Sequence, residues 1–307
     1  MTADPNDPKP AKPPVDDVTG IETTGHSWDG IEELNSPLPR WWLWTFYATV
    51  IWGIAYTVAY PAWPMIDRAT TGILGYSTRA EVAADIAAFE DATAELSAQL
   101  ARADLTALEP DDPLHRYAVS SGAAVFRTNC SQCHGSGAAG ARGYPNLLDD
   151  DWLWGGTVEQ IAYTVRHGIR NEQDPDARWS QMPAYRDLLT PDEIAQTVEY
   201  VVSLSDRPHE TAQAAQGAEI FADQCSACHG EAGTGMREMG APNLTDAIWL
   251  YGGDREALTA TIANARFGVM PPWGPPRLSE AQVQAVAAYV HQLGGGEASE
   301  ASDVPAN

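Results

Sequence analysis

The string CSQCHG at 130–135 returns as CSACHG at 225–230, and the four cysteines within them, Cys130, Cys133, Cys225 and Cys228, are all the cysteines of the 307-residue chain. Two thiols three positions apart, with a histidine directly after the second, come together on one short turn. Thiols so placed can each form a thioether with a haem vinyl group while the imidazole takes the iron's fifth position, and Cys-x-x-Cys-His is the attachment string of c-type haem. Two covalently bound c-type haems are therefore expected, with His134 and His229 as proximal ligands. A bare Cys-x-x-Cys also serves as a redox dithiol or half a zinc site. The histidine in both copies, and the repeat around them, argue against those readings.

A haem iron used only to carry electrons needs a sixth ligand on its other face. Met182 in QMPAY and Met270 in VMPPW stand eight and nine residues ahead of matching helix starts. A thioether is a soft donor that favours ferrous iron, and Met/His ligation raises the reduction potential. Met236 and Met239 have no counterpart in the first copy and read as packing or loop residues. His115, His167, His209 and His291 are rival ligands, but none recurs at an equivalent position. Arg142 and Arg237 follow the two motifs at similar distances and are candidates for haem propionates; a solvated arginine explains them equally well, and neither is assigned.

The elements that position these residues are themselves duplicated. Gly122 and Phe126 before the first motif correspond to Gly217 and Phe221 before the second, each pair four apart on one helix face. After the motifs PNL recurs at 145 and 242, followed by Trp152 and Trp249, then Gly155-Gly156 and Gly252-Gly253. Each repeat closes on a capped amphipathic helix, with Thr190 and Glu193 matched by Ser279 and Gln282 as capping boxes and Tyr200 matched by Tyr289 on the helix face. The fold class expected is mainly α: one N-terminal transmembrane helix followed by two tandem class I cytochrome c domains, 116–206 and 209–296.

The stretch WWLWTFYATVIWGIAYTVAY at 41–60 holds no ionisable group apart from tyrosine and is long enough to cross a bilayer core of ~30 Å as a helix. Trp41, Trp42 and Trp44 at one end and Tyr56, Tyr60 and Trp63 at the other suit the two interfaces. The anchor is assigned to 37–64. Residues 1–36 are rich in Pro, Asp, Thr and Gly and are expected to be a disordered cytoplasmic tail without the features of a cleavable signal, apart from a short interfacial helix within 25–40. Residues 65–115 read as a helical linker: Ser77 or Thr78 caps a helix whose Val82, Ile86, Phe89, Leu96 and Leu100 form a stripe in need of a partner surface. Residues 297–307 are expected to be a second disordered tail.

The net charge is -24, and 34 of the 42 acids lie beyond residue 60 with 15 of the 18 bases. Such a balance excludes nucleic acid as a natural partner and could steer a basic protein. Because haem is attached to Cys-x-x-Cys-His outside the bacterial cytoplasmic membrane, the expected topology is single-pass in that inner membrane, with the N-terminus cytoplasmic and the haem domains periplasmic.

TTGHSWDGIEELNSPLPRWWLWTFYATVIWGIAYTVAYPAWP, joined to two CSxCHG domains with QMPAY and VMPPWG, resembles the membrane-anchored diheme subunit III of cbb3-type cytochrome c oxidases, over residues 23 to 295. The haem motifs are common to many cytochromes; the juxtamembrane WDGIEELNSPLPRWW joined to them is the specific part. The resemblance implies a subunit of a haem-copper oxidase in aerobic respiration. It would take electrons from a soluble or membrane-bound cytochrome c and pass them, through a monohaem cytochrome c subunit, toward the catalytic subunit that reduces dioxygen. It would not itself be the catalytic subunit. A self-contained diheme peroxidase and a free-standing membrane cytochrome shuttle are the alternatives. Spacing leaves open which methionine serves which haem; the resemblance mildly favours a crossed arrangement, each domain lending its methionine to the other's iron.

Overall fold

The structure, a computed structural model, describes residues 14–299 and divides into two units, 1–89 and 90–307. The expected disorder at 1–13 and 300–307 lies outside the described residues.

In the first unit, the segment read as a disordered tail with an interfacial helix is instead an antiparallel hairpin, β1 (Thr23–Trp28) and β2 (Ile31–Leu34), with Trp28 opposite Ile31. The reason is the Asp29-Gly30 dipeptide: both residues take positive φ (51° and 85°), as the two-residue turn that matches strand twist requires. Helix α1 (Arg40–Ala59) follows, 20 residues with none buried and apolar enough to be a candidate membrane span. Beyond it the chain doubles back, with the Ile73 and Leu74 amides donating to the Val58 and Ala59 carbonyls. Tyr56 stacks on Tyr60 there, and Tyr60 meets Tyr76 edge to face. Helix α2 (Thr78–Leu100) starts where the Ser77 hydroxyl accepts from the Ala80 amide. Val82 and Ile86 of the expected stripe are exposed.

In the second unit Leu100, at the end of α2, is fully buried among Ala118, Ala285 and Ala288, so that end of the stripe finds its partner surface there. Helices α3 (Pro113–Asn129), α4 (Ser131–His134), α5 (Val158–His167) and α6 (Pro191–Ser203) come from the first repeat. Helices α7 (Thr211–Gln224), α8 (Ser226–His229), α9 (Arg255–Asn264) and α10 (Glu280–His291) come from the second. Asp112, Thr157, Thr190, Asp254 and Ser279 cap their helices, and the boxes at Thr190/Glu193 and Ser279/Gln282 form in full.

The repeats do not pack as two consecutive bodies. Helix α6 lies on α7 and α9, and α10 lies on α3 and α5. Gly217 of α7 meets the Gln196 carbonyl and Tyr200 of α6; Gly122 of α3 meets the Ala285 carbonyl and Tyr289 of α10. Phe221 and Tyr200 rings sit 5.1 Å apart, Phe126 and Tyr289 rings 5.5 Å apart. The short connection at 204–210 brings α6 and α7 together as sequence neighbours, and α10 then covers α3. Each cluster thus mixes repeats: Phe126, Val158, Ile161, Val165, Val283 and Val286 in one, Tyr185, Ile194, Val201, Phe221, Leu258 and Ile262 in the other. The division at 206/209 separates sequence repeats, and the packing runs across it.

The chain after α10 also departs from expectation. Glu297, assigned to a disordered tail, exchanges backbone and side-chain bonds with Gly156 and forms an ion pair with Arg237. The charge-assisted bonds that this carboxylate accepts from the Gly156 amide and Arg237 hold the segment in place.

Candidate functional site

Each attachment motif is built the same way. Helix α3 ends at Cys130, whose amide still bonds to the Phe126 carbonyl, and one further turn carries Cys133 and His134 round to the same side; Cys225, Cys228 and His229 repeat this after Phe221. Burial, and then the neighbouring thiol, push the thiols of Cys130 and Cys225 up to about 11. They therefore stand as protonated thiols in apolar walls, not as reactive thiolates.

The imidazoles are oriented by the repeated PNL. His134 Nδ1 donates to the Pro145 carbonyl and His229 Nδ1 to the Pro242 carbonyl, both at 3.1 Å. A carbonyl only accepts, so Nδ1 carries the proton and Nε2 keeps its lone pair for a metal. Burial pulls both imidazoles below the ordinary histidine range, with the carbonyl bond acting against it. The neutral ring is the ligating form. PNL is visible in the sequence as a repeat but not as the histidines' partner; a proline carbonyl eleven or thirteen residues after a histidine has no signature until the loop is folded.

One cavity of about 1070 Å³ is lined by both motifs, by Met182 and Met270, and by Trp152, Trp249 and Tyr185. Ligand pockets usually enclose about 300–1,000 Å³, so this space is large and mostly apolar, as paired haems need. The residues fit the group: thiols for two thioethers per motif, an imidazole with its outer nitrogen spare, and a thioether within the same walls. His115, His167, His209 and His291 are not among the lining residues; His167 bonds Asp174, His209 the Arg207 carbonyl and His291 the Glu297 carbonyl. Of the unassigned arginines, Arg237 is engaged by Glu297, while Arg142 lines the cavity with its Nε donating to the Tyr251 carbonyl at 3.0 Å. Asp151 also lines the cavity, its carboxyl pushed up to about 6 by burial and next by Asp246.

The methionines are reached across the repeats. Met270 exchanges both backbone bonds with Ile169, just past α5 of the first repeat, at 2.9 and 3.0 Å, while Trp273 and Gly274 donate to the Val165 and Arg166 carbonyls. Met270 accordingly packs on the cluster containing Phe126, and Met182 on the cluster containing Phe221. Tyr185, three residues after Met182, is buried and donates to the Gln224 carbonyl, next to Cys225, at 2.7 Å.

Comparison with known proteins bears on both parts of the chain. The model for the N-terminal domain of cytochrome oxidase-cbb3, FixP, matches residues 20–67. The model for cytochrome c oxidase, cbb3-type, subunit III, matches 118–201 and again 212–290. The chain belongs to the cbb3-type subunit III family. Among its relatives, the cbb3-type cytochrome c oxidase subunit CcoP of Cereibacter sphaeroides is 59% identical over 97% of this chain and 100% of its own length. The CcoP of Rhodobacter capsulatus is 55% identical over 90% of this chain and 97% of its own length, and the FixP of Sinorhizobium medicae 53% over 92% and 98%. A member of this family is a c-type cytochrome, and the two matched segments each contain one attachment motif. Two c-type haems fit the two matched segments.

Proposed function

We propose that this chain is the membrane-anchored electron-transfer subunit of a cbb3-type oxidase. It accepts electrons from a donor cytochrome c and passes them, by way of a monohaem cytochrome c subunit, toward the catalytic haem-copper subunit. The observation that carries this is that His134, His229, Met182 and Met270 all line one apolar cavity with the four cysteines. A histidine and a methionine could together hold a haem iron in either oxidation state, which would suit electron transfer rather than substrate binding. The role of the chain's own residues is to attach, orient and keep water from the group: Cys130, Cys133, Cys225 and Cys228 attach it, and the carbonyls of Pro145 and Pro242 hold the imidazoles of His134 and His229.

The ligand sets are His134 with Met270 and His229 with Met182, crossed between repeats. Each methionine packs on the cluster that also holds the other repeat's first motif cysteine, Met270 with Cys130 and Met182 with Cys225, which supports this. Helix α1 spans the inner membrane with the N-terminus cytoplasmic and the haem-bearing unit periplasmic, the side on which covalent attachment takes place.

Two measurements test the reading. A tagged full-length chain, captured from detergent-solubilised membranes, brings down a haem-copper catalytic subunit; recovery without one refutes the assembly. In potentiometric titrations Met270→Ala lowers the potential of the haem at Cys130/Cys133, and Met182→Ala that of the haem at Cys225/Cys228. The reverse assignment refutes crossed ligation while leaving the subunit role standing.

A further inference from the structure

Arg170 occupies a place that neither the motifs nor the repeat pattern explain. Its backbone takes a positive φ of 51°, costly for a residue with a side chain. Its amide bonds to the Arg178 carbonyl at 2.8 Å, while its neighbour Ile169 is paired on the other side with Met270. Residues 169–170 thus form the middle thread between the two methionine-bearing segments. The side chain repeats the bridge: Nε donates to the Ser180 carbonyl, and Nη1 donates to the Gly268 carbonyl at 3.1 Å. Each carbonyl lies two residues before a methionine, Met182 in one case and Met270 in the other.

The guanidinium is half-buried, lines the shared cavity and lies 5.9 Å from the Trp154 ring centroid. Burial draws its pKa down, but an arginine remains charged in any case. Its planar, forked donors can satisfy two carbonyls in fixed directions, which a lysine ammonium cannot do with the same geometry. Met182 needs this help more than Met270, since Met270 has its own backbone bonds to Ile169.

We propose that Arg170 is a single positioning residue for both sixth ligands, one guanidinium setting the two methionine loops of both haem sites at once. The proposal rests on the methionine ligation given above. Its chemistry is hydrogen bonding only. Loss of the fork frees both loops, and the weakened iron–sulfur bonds show at the two haems together.

The experiment uses the full-length holo-protein in detergent. It compares the wild type with Arg170→Gln, Arg170→Lys and Arg178→Gln by the ferric sulfur-to-iron absorption band, carbon monoxide uptake by the ferrous form, and the potentials of both haems. Arg178 is the control: it is equally half-buried and lies over the same Trp154 ring, but its side chain bonds Thr164 and Gln160, not a methionine loop. The expected result is loss of band intensity, gain of carbon monoxide uptake and a fall in potential at both haems in Arg170→Gln. Arg170→Lys keeps the charge and shows the same defect in smaller degree, and Arg178→Gln retains the wild-type band. A change at one haem only, no change, or an equal change in Arg178→Gln overturns the proposal. If Arg170→Gln is not recovered with haem, Arg170→Lys decides by the same three readouts. A wild type lacking the sulfur band would refute the methionine ligation itself, an outcome separate from any difference among the variants.

Discussion

The two proposed haem sites share one plan and hold their methionines differently. Met270 is fixed by backbone: two bonds with Ile169 and two more from Trp273 and Gly274, with Pro271, Pro272 and Trp273 all half-buried. Met182 is flanked by exposed Gln181, Pro183 and Ala184, and its loop is held by side chains, Arg170 on one side and Tyr185 on the other. The stretch from Gly168 to Met182 is nine residues longer than that from Ala265 to Met270, which leaves room for the difference. A duplicated site can therefore keep its chemistry while changing what supports it, and the side-chain-supported copy is the one that substitution can loosen without moving a helix.

The comparison is broken most severely at the helix crossings that the two sites share. A Cβ at position 122 would run into the Ala285 carbonyl and one at 217 into the Gln196 carbonyl, and main-chain atoms in packed helices cannot step aside. Gly122→Ala and Gly217→Ala are each expected to cost about 3 kcal/mol, read as equal falls in the thermal midpoint of the holo-protein. A marked inequality would show that one bundle tolerates separation and the other does not.

Next in size are the ion pairs. Glu199, its side chain 8% exposed, accepts from Arg255 Nε at 2.5 Å, from Nη2 at 2.9 Å and from the Glu210 amide at 2.8 Å. The Arg255 bond, aided by the amide, pulls its carboxyl from 4.5 to about 2. A folded-state pKa below the unfolded one means this stabilisation is complete above pH 4.5 and is lost as pH falls toward 2. Glu199→Gln should cost about 2 kcal/mol at neutral pH. Glu280, paired with Arg166 at side-chain exposures of 35% and 27%, should cost about 0.5 kcal/mol in Glu280→Gln. Denaturant titrations at pH 7 and pH 3 check both: the gap between Glu199→Gln and the wild type narrows at the lower pH.

Smaller in stability than the Glu199 effect, but sharpest in location, is Tyr185→Phe. It removes the hydroxyl's bond to Gln224 and should cost about 1 kcal/mol. Its mark is a weaker sulfur band at the haem of Cys225 with no change at that of Cys130. An effect on both would mean the Met182 loop is supported from elsewhere.

Much of this was legible before folding. Cys-x-x-Cys-His, the paired Thr190/Glu193 and Ser279/Gln282 boxes and the Gly122/Phe126 spacing are local signals, and local signals survive in sequence because their partners lie within one turn of helix. Asp29-Gly30 is equally local, but the helical spacing of Trp28, Ile31 and Leu34 competes with it; the positive φ that the pair accepts decides for a hairpin. The crossing of α6 and α10 was of another kind. A Gly and a Phe show that a helix will be approached closely, and two similarly capped tyrosine helices offer themselves to each, so only the short connection at 204–210 discriminates. Arg170 and Glu297 stayed hidden for the same reason, since each binds residues distant in the chain.

The loops after the two motifs clasp each other as well. Gly143 approaches the Tyr251 ring, to which a Cβ would lie at 3.4 Å, and Gly240 takes the Trp154 ring in the equivalent way. With α10 needed to cover α3, this bears on how the protein is made. As the chain grows, the cysteines at 130 and 133 emerge early, but the bundle around them cannot close until residue 291 has followed. The second bundle has all its helices once α9 is complete at residue 264. The motif that is synthesised first is therefore the last to be enclosed by its own set of helices.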